Sequence, residues 1–420
     1  MGCGLETSGD RALDEHIIIV GAGHGGVQAA ASLREEGYAG KLTLISADPE
    51  LPYHKPPLSK AFLKALDAEP QILKAQAFYD AQGIDLRLGE TVTAIDPEAH
   101  TLTLADGDVL QWSRLLLATG AHARPLSVPG ADLDGVFYLR DCADARQLRE
   151  AAEAARDVVV VGGGFIGLEA AATMAMAGKR VRVVEAAERL LGRAVSARIA
   201  AHMLAYHESL GCEVITGAGV ERLIGENGRV RALVTSDGQE LAADLVLVGI
   251  GALPNTTLAE QAGLVCDNGI RVDAACRTSA PDIYAIGDCV SFPHVAAERF
   301  LRLESVQNAT DQARCAAKAM LGQETAFDAV AWFWSDQGDR KLQMVGLPFG
   351  VDREIVAGEA ESGAFSVYLF SGDRLVAVET VNRPGEHMLG RRMLAAGFSP
   401  SEAQILEGPA ALKAAFMGKA

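Results

Sequence analysis

Two glycine loops of identical spacing constrain this chain more than any other feature of it. The first, "IIIVGAGHGG", is a short apolar run ending at Val20, followed by Gly21-x-Gly23-x-x-Gly26 and the alanine-rich stretch "VQAAASLREEG". The second, "VVVVGGGFIGLEAAA", repeats the pattern with Gly162, Gly164 and Gly167. In each loop the first glycine permits a sharp strand-to-helix turn and the second leaves room for a pyrophosphate against the backbone. The third lets the helix pack close on the strand, and the helix N-terminus attracts the anion. One such pattern is weak evidence. Here each loop also has a following strand that ends at a carboxylate, "KLTLIS" before Asp48 and "RVRVVE" at Glu185, as a dinucleotide-binding unit requires.

The repeat runs on past the loops. Both "LRLGETVTAIDPEAHTLTLADGDVLQWSRLLLATGA" and "EVITGAGVERLIGENGRVRALVTSDGQELAADLVLVGIGA" alternate short strands with turns rich in Asp, Asn and Gly. Each reads as an antiparallel meander returning to a final parallel strand, closed by Gly120 in one unit and Gly251 in the other. A third unit opens with "AWFWSD" and continues through strand-like segments to terminal helices. The expected fold is α/β: two Rossmann-like dinucleotide-binding domains with antiparallel β-meanders, plus a C-terminal α+β interface domain. The predicted boundaries are a loose tail at 1–15, a discontinuous first domain at 16–121 and 253–328, a second at 122–252, and the third at 329–420.

Composition narrows the function. A formal net charge of −17 over 420 residues disfavours nucleic acid and anionic membrane as partners, because phosphates would be repelled. The long apolar run from Val158 raises the membrane question, but Glu169 and its glycines read as a buried strand, turn and helix. "MGCG" lacks the Ser/Thr of a myristoylation signal, and no secretory apolar core follows. Seven scattered cysteines form neither a CxxC pair nor a zinc-like spacing, so they read as reduced thiols of a cytoplasmic protein with no metal site.

Further motifs carry a resemblance. "LLLATGA", with Ala118, Thr119 and Gly120, and "IYAIGDC", with Gly287 and Asp288, resemble the second and third FAD motifs of the glutathione-reductase-like two-dinucleotide-binding flavoproteins. Thiol-dependent members keep cysteine in the first domain, but none stands between Gly26 and Cys142. "LPYHKPPLSK", "FIGLEAA", "RLESVQNATDQA" and "WFWSDQ" are similar instead to the oxygenase-coupled ferredoxin reductases of the putidaredoxin- and rubredoxin-reductase type. That resemblance covers nearly the whole chain from about residue 16.

The resemblance implies roles at particular positions. Lys60 would lie beside the flavin and pair with Glu169, where a fixed cation stabilises charge on the reduced ring. Asp288 would accept from the ribityl chain, and Asp48 would serve the adenosine ribose alone because Ala47 stands where relatives often have an acid. Lys55 and Pro56 fall in the proline motif; relatives usually have arginine at the former, and lysine offers a less directional charge. Pro56 and Pro57 stiffen the segment, and Ser59 is expected to N-cap a helix beginning at Lys60. Arg124 would lie near the FAD, Glu304, Ser305 and Val306 along the flavin, and Trp334 close to the ring. Phe165 and Ile166 belong to the second loop and would meet NAD. His24 sits inside the first loop, where it and His54 read as loop and packing residues; hydride transfer between stacked rings needs no histidine base.

The implied function is electron transfer from NADH through FAD to a [2Fe-2S] ferredoxin that serves an oxygenase, by a monomer or weak homodimer. Rubredoxin as acceptor, an NADH oxidase, or a flavin-binding redox sensor similar to apoptosis-inducing factor are the alternatives. Candidate docking residues are Arg299, Arg391 and Arg392.

Overall fold

A computed structural model describes residues 15–192, 194–294 and 297–418, so the expected tail at 1–15, all but its last residue, lies outside the described residues. The chain divides into two compact units. One comprises residues up to His54 together with Gln71–His122 and Pro254–Ala329; the other comprises Lys55–Pro70, Ala123–Leu253 and Val330 onward.

Each unit has a five-stranded parallel sheet of the same winding. In the first unit the order is Ile283–Ala285, Arg114–Leu117, His16–Val20, Lys41–Ser46, Ile84–Leu88. In the second it is Val136–Phe137, Leu245–Val248, Asp157–Val161, Arg180–Glu185, Glu213–Thr216. Ile17, Ile18, Ile19, Val158, Val159 and Val160 have no exposed surface. Such continuous apolar runs, rather than alternating ones, are what a sheet covered on both faces demands. The meanders form as expected: Val92–Asp96, Thr101–Leu104 and Val109–Gln111 in one unit, and Val220–Glu226, Arg229–Thr235 and Glu240–Ala242 in the other, all antiparallel. The two sheets differ in the origin of one outer strand: Ile283–Ala285, beside Arg114–Leu117, comes last in the chain for the first sheet, and Val136–Phe137, beside Leu245–Val248, comes first for the second.

The apolar run from Val158 resolves into the strand Asp157–Val161 and the helix Phe165–Met176. Among the described residues no helix is long and apolar enough to cross a membrane. From Trp332 the chain forms a five-stranded antiparallel sheet in the order Trp332–Gln337, Arg340–Gly346, Arg374–Val381, Ala364–Ser371, Arg353–Glu359. Helices Pro384–Ala395, Glu402–Leu406 and Pro409–Met417 close it, with Met393, Ile405 and Leu412 buried against Tyr368 and Phe370.

Candidate functional site

The two glycine loops match in backbone conformation and in the carbonyls that crowd them. Gly21 and Gly162 hold φ of +108° and +103°, where a side chain is strained, and a Cβ on either would run into the carbonyl of the crossing strand, Ala118 or Gly249. At the third glycine, a Cβ on Gly26 or Gly167 would collide with the carbonyl of Gly21 or Gly162. The second glycine is the opposite case: a Cβ on Gly23 meets nothing within 4 Å, and on Gly164 only the Gly249 oxygen at 3.9 Å. Gly23 and Gly164 are also the N-cap residues of His24–Glu35 and Phe165–Met176, and neither helix start is capped by a side chain. Open space before uncapped N–H groups is the cradle a dinucleotide pyrophosphate fits, and it occurs twice.

In the first unit the Asp48 carboxylate accepts from the Tyr53 hydroxyl at 2.8 Å and from the Glu50 amide at 3.0 Å. The turn at Ala118–Gly120 is tied to Asn255, whose side-chain amide donates to the Thr119 carbonyl at 2.7 Å while the Thr119 hydroxyl donates to the Asn255 carbonyl at 2.8 Å. Gly287, at φ +79°, donates its N–H to Gln312 Oε1 at 2.7 Å, which sets the turn carrying half-buried Asp288. Gln312 lies on the helix Val306–Met320, capped by Ser305, whose hydroxyl accepts from the Asn308 amide at 3.0 Å; Glu304 just before it pairs with Arg302. His24 and His54 face each other with ring centroids 5.4 Å apart. Asn255 and Gln312 had no part in the sequence reading. Gln312 lies inside the "RLESVQNATDQA" motif, so that signal was present; Asn255 has no comparable mark.

In the second unit Glu185 accepts from the Gly163 amide at 2.6 Å and from the Ala187 amide at 2.8 Å, so the strand-end carboxylate is locked to the glycine loop. Arg189, four residues further on, donates to the carbonyls of Gly192 (2.8 Å) and Val195 (3.1 Å). Ile166 is exposed on the first turn of its helix, and Phe165 meets Phe333 at 4.7 Å between ring centroids. Arg124 is exposed, its amide bonded to the Gly251 carbonyl at 2.9 Å, and Gly251 adopts φ +109°. Trp334 is half-buried, 5.6 Å from Trp332.

The segment Lys55–Pro70 belongs to this second unit and brings Lys60 to Glu169. The ammonium lies 2.8 Å from Glu169 Oε2 and also donates to the Pro56 carbonyl at 3.0 Å. Glu169 is 5% exposed and Lys60 17%, so the pair is held with little water. The predicted cap at Ser59 does not form. Pro56–Ser59 is a single 3₁₀ turn starting after Lys55, followed by the short helix Ala61–Lys64, which has no side-chain cap. The Ser59 hydroxyl instead turns inward to donate to Glu169 Oε2 at 2.5 Å, a tertiary partner in place of the local helix amides. All six described cysteines are free thiols.

Known proteins resemble this chain in sequence and fold. The pyridine nucleotide-disulphide oxidoreductase family matches residues 15–313, and the reductase C-terminal family matches residues 332–416. Rhodocoxin reductase from Rhodococcus erythropolis is 43% identical over 380 residues, 90% of this chain and 89% of that protein. Among solved structures, the ferredoxin reductase for the CYP199A2 system from Rhodopseudomonas palustris aligns with a TM-score of 0.91 at 41% identity, over 93% of this chain and 97% of that one. The covalent putidaredoxin reductase–putidaredoxin complex aligns at 0.88 and 40% identity, over 92% and 94%. With both loops, both meanders and the C-terminal sheet accounted for, the chain belongs to the pyridine nucleotide-disulphide oxidoreductase family and carries the reductase C-terminal domain.

Proposed function

We propose that this chain is an NADH-dependent, FAD-containing reductase that delivers electrons to a small [2Fe-2S] ferredoxin serving an oxygenase, in the cytoplasm. The observation that carries the reading is the buried Lys60–Glu169 pair in a chain with no cysteine between Gly26 and Cys142. A disulfide relay has no thiols there to run through, so electrons leave from the flavin itself. Relatives support the choice of acceptor: one is a reductase for rhodocoxin, and another is covalently joined to putidaredoxin.

Bound FAD supplies the ability to take a hydride from NADH and to release electrons singly. The chain's own residues do the rest. Residues 16–121 and 253–328 would hold FAD, with its pyrophosphate at Gly23 and the Gly21–Gly26 turn, its adenosine ribose at Asp48 and its ribityl chain at Asp288. Lys55 and Arg124 would add positive charge for its phosphates, and Glu304, Ser305, Val306 and Trp334 would line the ring. Residues 122–252 would hold NADH on the Gly162–Gly167 loop, with Phe165 and Ile166 at its edge and Glu185 on the ribose. Lys60, fixed by a carboxylate and a carbonyl, would offer its charge where negative charge develops on the reduced ring. Residues 329–420 would face the acceptor.

The test is anaerobic reduction of the FAD-loaded protein by NADH, followed by rapid mixing with ferredoxins, rubredoxin, cytochrome c, glutathione disulfide and oxygen. Fast oxidation by [2Fe-2S] ferredoxins is the expected result. Fast transfer to rubredoxin alone would change the acceptor, to oxygen alone would make it an oxidase, and slow transfer to all would make it a sensor.

A further inference from the structure

Ser335, Gln337 and His207 have no exposed surface and no part in the reading above, yet they form a single file of hydrogen bonds that ends on Glu169. His207 Nε2 lies 2.8 Å from Gln337 Oε1, Gln337 Nε2 donates to Ser335 Oγ at 3.1 Å, and Ser335 Oγ donates to Glu169 Oε1 at 2.6 Å. The other carboxylate oxygen takes Ser59 Oγ and the Lys60 ammonium. Two periodicities bring these groups together. Phe165, Glu169 and Thr173 share a face of the helix Phe165–Met176, and Phe333, Ser335 and Gln337 share a face of the strand Trp332–Gln337. The Phe165–Phe333 contact registers the two faces one step ahead of the Glu169–Ser335 bond.

Chemistry fixes the direction of the file. A carboxylate only accepts, so the Ser335 proton must go to Glu169 and its lone pair must take a donor from Gln337. The Gln337 carbonyl then faces His207, which must carry its proton on Nε2. Burial lowers the basicity of His207, keeping the ring neutral, and Nδ1 has no partner among the described residues. Every dipole in the file therefore points at Glu169, and each bond polarises the next. An amide in the middle does not hand a proton on as hydroxyls do, so the file orients and polarises rather than conducts.

We propose that His207, Gln337 and Ser335 are positioning residues: they lock one oxygen of the Glu169 carboxylate so that the other holds the Lys60 ammonium in a single place. This rests on the reductase reading for its consequence, which is the rate at which NADH reduces the bound flavin.

The experiment uses the FAD-loaded protein labelled with ¹⁵N-histidine, with the His207 signals identified by their loss in His207→Gln. His207 should be the neutral Nε2–H tautomer with a slowly exchanging ring proton, and its signals should move in Glu169→Gln and in Ser335→Ala. Ser335→Ala should slow flavin reduction at saturating NADH by about tenfold, the equivalent of one hydrogen bond to a charge, with little change in NADH KM. Ser335→Thr, which keeps the hydroxyl, should restore the rate, and Ser335→Ala should add no further loss to Lys60→Met. Gln337→Leu provides a second cut in the file should Ser335→Ala fail to fold. Unmoved His207 signals in Glu169→Gln, or wild-type reduction rates in both cut variants, would overturn the proposal. The resonance measurement uses no NADH, so it stands apart from failure of the reductase reading, which would appear as a wild-type flavin that NADH does not reduce.

Discussion

At Glu185 a single carboxylate is tied to the glycine loop and is also the proposed partner of the nicotinamide cofactor's ribose. Two of its roughly four lone-pair sites are taken by the amides of Gly163 and Ala187, which leaves acceptor capacity for ribose hydroxyls and a negative charge against a 2′-phosphate. Arg189 directs its donors to two carbonyls instead of presenting them to a phosphate. Wild-type kcat/KM should therefore favour NADH over NADPH, and Glu185→Gln should narrow the preference by about tenfold, or ~1.4 kcal/mol. Equal kcat/KM for the two cofactors in the wild type would sink this assignment. Lys60 is the complementary test. Lys60→Met removes the cation while leaving Glu169 two hydroxyl donors, so the fold and bound FAD should survive. Flavin reduction by NADH should slow by ~1–3 kcal/mol in barrier, as expected for loss of one electrostatic donor. Stopped-flow rates at the wild-type level would make Lys60 structural only.

Between the glycine loops and the elements they join, space decides more than sequence spacing does. Gly164 and Gly167 are three residues apart, yet alanine should act on different properties at each. A methyl on Gly167 is driven into the Gly162 carbonyl and should destabilise the unit by ~1–3 kcal/mol, read as a lower Tm. A methyl on Gly164 enters open space, so Tm without NADH should hold while NADH binding weakens by about tenfold or more, ~1.4 kcal/mol. Equal effects of the two substitutions on Tm would remove the case for a pyrophosphate cradle. A second element-level effect comes from Glu379 on the strand Arg374–Val381, whose carboxylate accepts from the Ser196 amide at the start of the helix Ala197–Ser209. Burial pushes this carboxyl up to about 7 from its ordinary 4.5, against the pull of the Ser196 bonds. The folded state then holds a proton that the unfolded chain has lost between those values. Stability from this group is full below pH 4.5 and is lost as pH rises through 7, by an amount on the order of 3 kcal/mol. Glu379→Gln should flatten the fall in Tm between pH 5 and about 8, and an unchanged slope would show that the carboxyl ionises without cost.

For the molecule as a whole, what the sequence made legible was local, and what it hid was assembled from distant segments. The loops, meanders and apolar strands each declare themselves within about forty residues, because turn chemistry and burial on both faces act over short stretches. The Ser59 cap failed as an expectation because a hydroxyl's partner is chosen by tertiary neighbours, here a glutamate 110 residues away. The file from His207 to Glu169 joins two helices and a strand, with His207 and Gln337 130 residues apart; the period of each element is legible alone, but nothing in the sequence pairs one element with another. The same distinction bears on partner docking, which depends on the charge distribution over the whole surface. The chain carries −17, so an acidic ferredoxin meets a repulsive average field and needs a local basic area to bind productively. Arg299 and Arg392 are exposed, whereas Arg391 lies 4.4 Å over the Trp332 ring and contributes packing as well as charge. Neutralising Arg299 and Arg392 to glutamine should therefore test docking most directly, with Arg391→Gln added last and checked for a fall in Tm. If these residues meet the acceptor, the association rate with a [2Fe-2S] ferredoxin should drop and its dependence on ionic strength should become shallower. Reduction of the bound flavin by NADH should stay at the wild-type rate, since the charges removed act before electron transfer to the partner. Ferredoxin reduction that is unaffected at low ionic strength in the triple variant would place the docking surface elsewhere or make it mainly apolar.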